Sequence, residues 1–168
     1  MAKYIRPTWD EYFMGIKQVV SKRATCGRGR SACVIVKDNH IVATGYVGAP
    51  SGLASCDDVG HFLQEVKESD GSIGMHCIRT VHAEQNAICQ AAKLGISIKG
   101  ATLYCTMTPC RTCAMLIIQC GISSVICERH YPHAIIEDDT LTMLSMCNVG
   151  IEFMSDNNQE YEEAEDGV

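Results

Sequence analysis

Apolar residues recur along this chain in two rhythms, and the switches between them mark out the elements. Trp9, Tyr12, Phe13, Ile16, Val19 and Val20 fall at helical spacing, behind Thr8 and Glu11 at the separation of a capping box. They predict a helix running to about Arg23, with that stripe turned into the core. Ala32–Lys37 and Ile41–Val47 read as strands around Asp38-Asn39, a hairpin signal. Val81–Lys93 reads as a second helix stopped by Gly95, and Ala101–Thr106 as a third strand. Thr108 and Pro109 supply an N-cap and a first-position proline for a helix that ends at Gly121. Ser124–Cys127, a helical segment over about Ala134–Cys147, and Asn148–Phe153 complete the series. Strands joined through a helix are usually parallel. The expected class is therefore α/β, with a five-stranded mixed sheet: an antiparallel hairpin, then parallel strands, covered by helices.

The rhythm breaks between Gly48 and Thr80, a stretch too long and too polar for a simple connection. This insertion, 48–80, holds Cys56, His61, His76 and Cys77, with Cys26 upstream. An irregular loop needs a staple, and structural zinc supplies folding energy directly. The expected ligands of a closed zinc site are Cys26, Cys56, His61 and Cys77, with His76 as a substitute for one of them. The plainer reading leaves a buried Cys26 and two surface histidines. Cys26–Ser31 places Arg28 and Arg30 among glycines, which is either a solvated turn or an anion contact.

Two further pieces carry catalytic chemistry. His82-Ala83-Glu84 opens one helical run, and Pro109-Cys110-Arg111-Thr112-Cys113 opens another. One imidazole and two thiolates are the donor set of a catalytic Zn²⁺ with a fourth position open to water. Zinc lowers the pKa of its bound water from about 15.7 to about 7. Glu84, two residues from His82, can stand beside the metal without ligating it and move protons. Alone, a Cys-x-x-Cys could be a structural knuckle or a redox pair, and a His-x-Glu carries almost no information. Together, each opening a helix and separated by a strand, they resemble the signature of zinc-dependent nucleobase deaminases.

Composition narrows the partners. Hydrophobic residues make up 46% and charged residues 20%, as in ordinary globular chains. Residues 1–154 read as one domain. Of 20 acidic residues, six lie in the tail Ser155–Val168, leaving 14 against 14 Lys and Arg. A near-neutral body favours a small substrate over a polynucleotide, and the acidic tail reads as a solvated, disordered end. No run is long enough to span a membrane, and Met1–Pro7 lacks the apolar core of a signal peptide. The expected compartment is cytoplasmic, with the eleven cysteines reduced and several, among them Cys33, Cys89, Cys120 and Cys127, packed as small hydrophobes.

From the metal motifs outward the chain resembles the deoxycytidylate deaminase branch of the cytidine deaminase superfamily, over about residues 7–154. The resemblance includes Trp9-Asp10-Glu11-Tyr12-Phe13-Met14, Gly45-Tyr46-Val47-Gly48, His76-Cys77-Ile78-Arg79-Thr80-Val81 and Leu116-Ile117-Ile118-Gln119-Cys120-Gly121-Ile122. It implies a three-layer α/β/α cytidine-deaminase-like fold and hydrolysis of dCMP to dUMP and ammonia, which supplies thymidylate synthesis. On that reading His82, Cys110 and Cys113 bind zinc, Glu84 shuttles protons, Arg28 and Lys93 are phosphate candidates, and Tyr131 lines the nucleotide pocket. It also implies a homo-oligomer, commonly a hexamer where dCTP and dTTP regulate. Val47 departs from the asparagine the family often carries there, which puts that regulation in question. The alternatives are a deaminase of dCTP, 5-modified dCMP or deoxycytidine, or a non-catalytic zinc-stabilised binding module.

Overall fold

The computed structural model describes residues 4–67, 71–131 and 134–154. The tail 155–168, expected to be disordered, lies outside the described residues. In chain order the first elements are α1 (Trp9–Ser21), β1 (Ala32–Lys37), β2 (His40–Tyr46), α2 (Cys56–Val59), β3 (Leu63–Lys67) and β4 (Ile73–Cys77). There follow α3 (Ala83–Leu94), β5 (Thr102–Met107), α4 (Arg111–Gln119), β6 (Ser124–Arg129), α5 (Ala134–Met146) and β7 (Gly150–Phe153).

The main sheet has the order β2-β1-β5-β6-β7. β1 pairs antiparallel with β2 and with β5, while β5–β6 and β6–β7 are parallel. This is the mixed sheet the sequence predicts. Asp38 and Asn39, at the tip of the first hairpin, have φ of 51° and 59°, the left-handed pair that a two-residue turn requires. Phe13 and Met14 of α1 pack on Val34, Val36, Tyr104 and Ile126 on one face of the sheet. On the other face Ala83, Ala87 and Ala91 of α3, Ala114 and Ile117 of α4 and Leu144 of α5 cover Cys33, Ile35, Leu103, Cys105, Val125 and Cys127. The layers are α/β/α.

The stripe expected on α1 is only half right. Phe13 is buried, but Trp9, Tyr12 and Val19 are exposed, and Lys17 is buried in their stead. A lysine can do this by laying its stem in the core and carrying its charge to a partner. Here Nζ lies 2.5 Å from Oε2 of Glu128 on β6. Burial raises the Glu128 carboxyl pKa, but the hydrogen bonds from Lys17 and Gln18 outweigh it, and the net shift is downward. A lowered folded pKa stabilises the fold above the unfolded value of about 4.3, and that contribution is lost as pH falls through the folded value. Lys17→Ala should cost about 2–4 kcal/mol at pH 7, from a broken ion pair and lost packing. Lys17→Met should cost less and flatten the acid limb of stability, as read by denaturant titration from pH 7 to 3.

Small residues are placed where α3 approaches the sheet. Gly45, Cys33, Cys105, Cys127 and Phe153 form one in-register row across all five strands. A Cβ on Gly45 would stand 2.1 Å from the carbonyl oxygen of Ala83 and 2.5 Å from the amide nitrogen of Ala87. Both obstacles are backbone, so a side chain here would push the whole helix away. Cys33, Cys105 and Cys127 are fully buried, as expected of small hydrophobes, whereas Cys89 is exposed on the outer side of α3.

The insertion is more regular than its sequence suggests. It contains α2 and a two-stranded antiparallel sheet, β3–β4. Among its described residues beyond Gly48, Cys56 alone is buried; Leu53, Val59, Phe62, Leu63, Ile73, Met75 and Ile78 are exposed. Strands with no buried face have no reason to alternate apolar and polar residues, so periodicity could not reveal them.

Candidate active site

The two catalytic motifs meet because each begins a helix at the same end of the sheet. Gly48 and Val81 exchange backbone hydrogen bonds of 3.0 and 3.4 Å, which fixes the chain just ahead of His82. Asn86 Nδ2 donates to the Tyr46 carbonyl at 3.0 Å, tying α3 to β2. His82 is the N-cap of α3, and Glu84 lies in its first turn. Cys110 is the N-cap of α4, so that helix starts later than Thr108 and Pro109 suggest. The Thr108 hydroxyl donates to Glu137 of α5 and does not cap α4. Helix N-termini favour anions, which suits two thiolates and a carboxylate.

Cys110 Sγ lies 3.4 Å and Cys113 Sγ 3.5 Å from His82 Nδ1. Tetrahedral zinc, with bonds of about 2.3 Å to sulfur and about 2.0–2.1 Å to nitrogen, sets S···N edges of about 3.6 Å. All three donor atoms lie within 4.8 Å of one another. The residues present fit a zinc ion. The Cys110 thiol pKa is held below the ordinary range by its hydrogen bond with Cys113, working against burial and helped by His82. The hydrogen bond to Cys110 likewise raises the His82 pKa. Glu84 is buried with Oε2 3.6 Å from Cys113 Sγ, and burial raises the pKa of its carboxyl above the ordinary range.

Cys26, Cys56, His61 and Cys77 form a second cluster, again with donor atoms within 4.8 Å of one another. Cys26 Sγ and His61 Nδ1 are 3.6 Å apart, as are Cys56 Sγ and Cys77 Sγ. The corresponding tetrahedral edges are about 3.6 Å for S···N and about 3.8 Å for S···S. His76 is not in this cluster.

Both clusters border one cavity of 570 Å³, a volume suited to a small molecule. His82, Glu84 and Cys110 line it, as do Cys26 and Cys77. Arg28, His76 and Tyr131 also line it. Arg28 is fixed by a 2.7 Å hydrogen bond from Nη2 to the Met75 carbonyl. Lys93 is not brought there. It lies in the last turn of α3, about 16 Å along the helix from His82, and does not line the cavity. Helical periodicity shows which face a residue occupies, and Lys93 is separated from the site along the axis. Met75, which no motif singled out, and Thr108, read from sequence only as an N-cap, also line the cavity.

The profile of the cytidine and deoxycytidylate deaminase zinc-binding region matches residues 7–129. The chain belongs to this family. As a member of the cytidine and deoxycytidylate deaminase family, it is 41% identical over 123 residues to the deoxycytidylate deaminase of Mycobacterium phage D29, covering 72% of this chain and 94% of that protein. It is 38% identical over 131 residues to the deoxycytidylate deaminase of Saccharomyces cerevisiae, covering 78% of this chain. The matches span 41% and 38% of the budding- and fission-yeast relatives' own lengths. Among solved structures, the dCMP deaminase of cyanophage S-TIM5, in complex with dCMP and dUMP, superposes with a TM-score of 0.70 at 31% identity. That superposition covers 90% of this deaminase-family chain and all of the cyanophage one. The family match ends at Arg129, so Tyr131 and α5 lie beyond it.

Proposed function

We propose that the chain deaminates dCMP hydrolytically to dUMP and ammonia, supplying dUMP for thymidylate synthesis. The observation that carries this reading is Glu84, a buried carboxylate beside the His82, Cys110 and Cys113 donor set, lining a cavity of a size to take a nucleotide. A purely structural metal site has no use for such a group. Zinc held there supplies Lewis-acid activation of water. Glu84 would take a proton from the attacking water and pass it to the pyrimidine ring nitrogen, then take the proton of the new C4 hydroxyl and deliver it to the departing amine. Its burial raises its carboxyl pKa above the ordinary range.

Arg28 is our phosphate ligand, because it lines the cavity and its guanidinium is anchored to the Met75 carbonyl. Arg28→Ala should raise KM for dCMP about 10–100-fold, the worth of a charge-assisted hydrogen bond, and leave KM for deoxycytidine nearly unchanged. Equal losses on both substrates would remove Arg28 from this role. Tyr131 completes the nucleotide wall. Cys26, Cys56, His61 and Cys77 hold a second, structural zinc. We read 1–154 as the catalytic unit and 48–80 as its insertion. A homo-oligomer is supported by the exposed Trp9, Tyr12 and Val19 on α1 and by the exposed apolar residues of the insertion; light scattering of the purified protein tests this. No helix among the described residues is long and apolar enough to cross a membrane. We read the compartment as cytoplasmic, a reducing setting that keeps thiols available to hold zinc.

The deciding experiment is ammonia release from dCMP, dCTP, deoxycytidine and CMP under identical conditions. A strong preference for dCMP is expected. Preference for dCTP would move the reading to another cytosine nucleotide, and no turnover on any of them, with zinc bound, to a 5-modified dCMP substrate or a non-catalytic binding module.

A further inference from the structure

Glu137 belongs to no motif in the sequence and lies outside the family match, yet it joins two walls of the cavity. A single carboxylate oxygen, Oε1, accepts a hydrogen bond from the Thr108 hydroxyl and another from the Tyr131 backbone N–H at 3.0 Å. The same oxygen lies 3.1 Å from His130 Nδ1. Glu137 is 8% exposed, so water competes little for these bonds. The His130 ring in turn stacks on Phe153 of β7, with centroids 3.6 Å apart and planes 16° from parallel.

The partners come from different parts of the chain. Thr108 follows β5 and precedes Cys110 by two residues, while His130 and Tyr131 follow β6. These loops leave corresponding ends of two neighbouring parallel strands, and Thr108 and Tyr131 both line the cavity. Glu137 itself does not. We propose that Glu137 is a positioning residue for nucleotide binding, a buried carboxylate that sets the Thr108 and Tyr131 walls before substrate enters. The proton of Thr108 is committed to Glu137, which leaves that hydroxyl only lone pairs to offer a nucleotide. A wall fixed in advance spends less binding energy on ordering itself. This inference rests on the nucleotide reading above.

The test compares Glu137→Gln, Glu137→Leu and Glu137→Asp with the unmodified protein. Calorimetric affinity for dUMP, KM and kcat for dCMP, and zinc content are measured for each. Glutamine keeps an acceptor oxygen in place and should hold KM and dUMP affinity within about twofold. Leucine removes the acceptor and aspartate withdraws it by one methylene. Both should raise KM and weaken dUMP binding about tenfold or more, with kcat changed less and zinc content unchanged. If the leucine variant does not fold, the aspartate variant carries the test. Unchanged KM and dUMP affinity in the leucine and aspartate variants would overturn the inference. So would parallel loss of KM, kcat and zinc that glutamine fails to prevent, since that is a merely structural role. If the unmodified protein neither binds dUMP nor turns over dCMP, the functional reading fails and takes this inference with it. If it does both and all three variants match it, only the role of Glu137 is lost.

Discussion

Glu84→Gln lowers turnover of dCMP by about 10²–10⁴-fold while zinc content and fold stay as they are; this is the largest effect we expect at a single residue. Glutamine has almost the shape of glutamate, so the first turn of α3 and the cavity keep their form. The donor set is untouched, because His82, Cys110 and Cys113 contribute the three clustered atoms and Glu84 is not one of them. What disappears is the capacity to take up and release a proton. The Glu84 carboxyl is buried against Cys113 Sγ, and that burial raises its pKa, which favours proton exchange closer to neutral pH. Metal analysis and steady-state kinetics on the same preparation check the prediction. Loss of zinc together with activity would mean that Glu84 holds the site together. Near-normal turnover would mean that some other group moves the proton.

Cys56→Ser reduces bound zinc from two ions per chain to one and loosens the insertion, with the catalytic ion retained. Its physical basis is the near absence of a core in this segment. Cys56 is the sole buried residue among those described after Gly48 up to Thr80, while seven large apolar side chains there are exposed. Hydrophobic burial within the chain therefore cannot hold α2 and the β3–β4 hairpin. A structural zinc can, since apparent binding energies in isolated zinc peptides are about 10–16 kcal/mol. Hydrogen exchange should quicken at the backbone pairs between Leu63–Lys67 and Ile73–Cys77 and stay slow in the main sheet. KM for dCMP should rise as well, because Arg28 is anchored to Met75 of β4. One zinc per chain in the unmodified protein would sink the second site outright. Two zincs with unaltered exchange in Cys56→Ser would show that the ion does not staple the insertion.

The folding pattern and the catalytic donors were legible in sequence for the same reason: both depend on short spacings. The Asp38-Asn39 turn, the parallel pairing implied by helical crossovers, and His82, Cys110 and Cys113 at helix starts all follow from a few neighbouring residues. The cluster of Cys26, Cys56, His61 and Cys77 was found from ligand chemistry, not from periodicity, and the hairpin that carries Cys77 was missed because neither of its faces is buried. On α1, helical spacing identified a stripe but could not tell its buried half from its exposed half. Lys17 entered the core because Glu128, 111 residues away, was there to meet it.

The sequence by itself determined the elements of the main sheet and the helices that cover it, together with the two sets of soft ligands, because local sterics, hydrogen bonding and donor chemistry are written in adjacent residues. Only the tertiary structure decided which side chains share the cavity. It brought Arg28, His76 and Tyr131 to one space, left Lys93 at the far end of α3, and set Glu137 behind the wall. Those placements depend on how far one element slides along another and on single long-range partners, and no spacing within a segment records either.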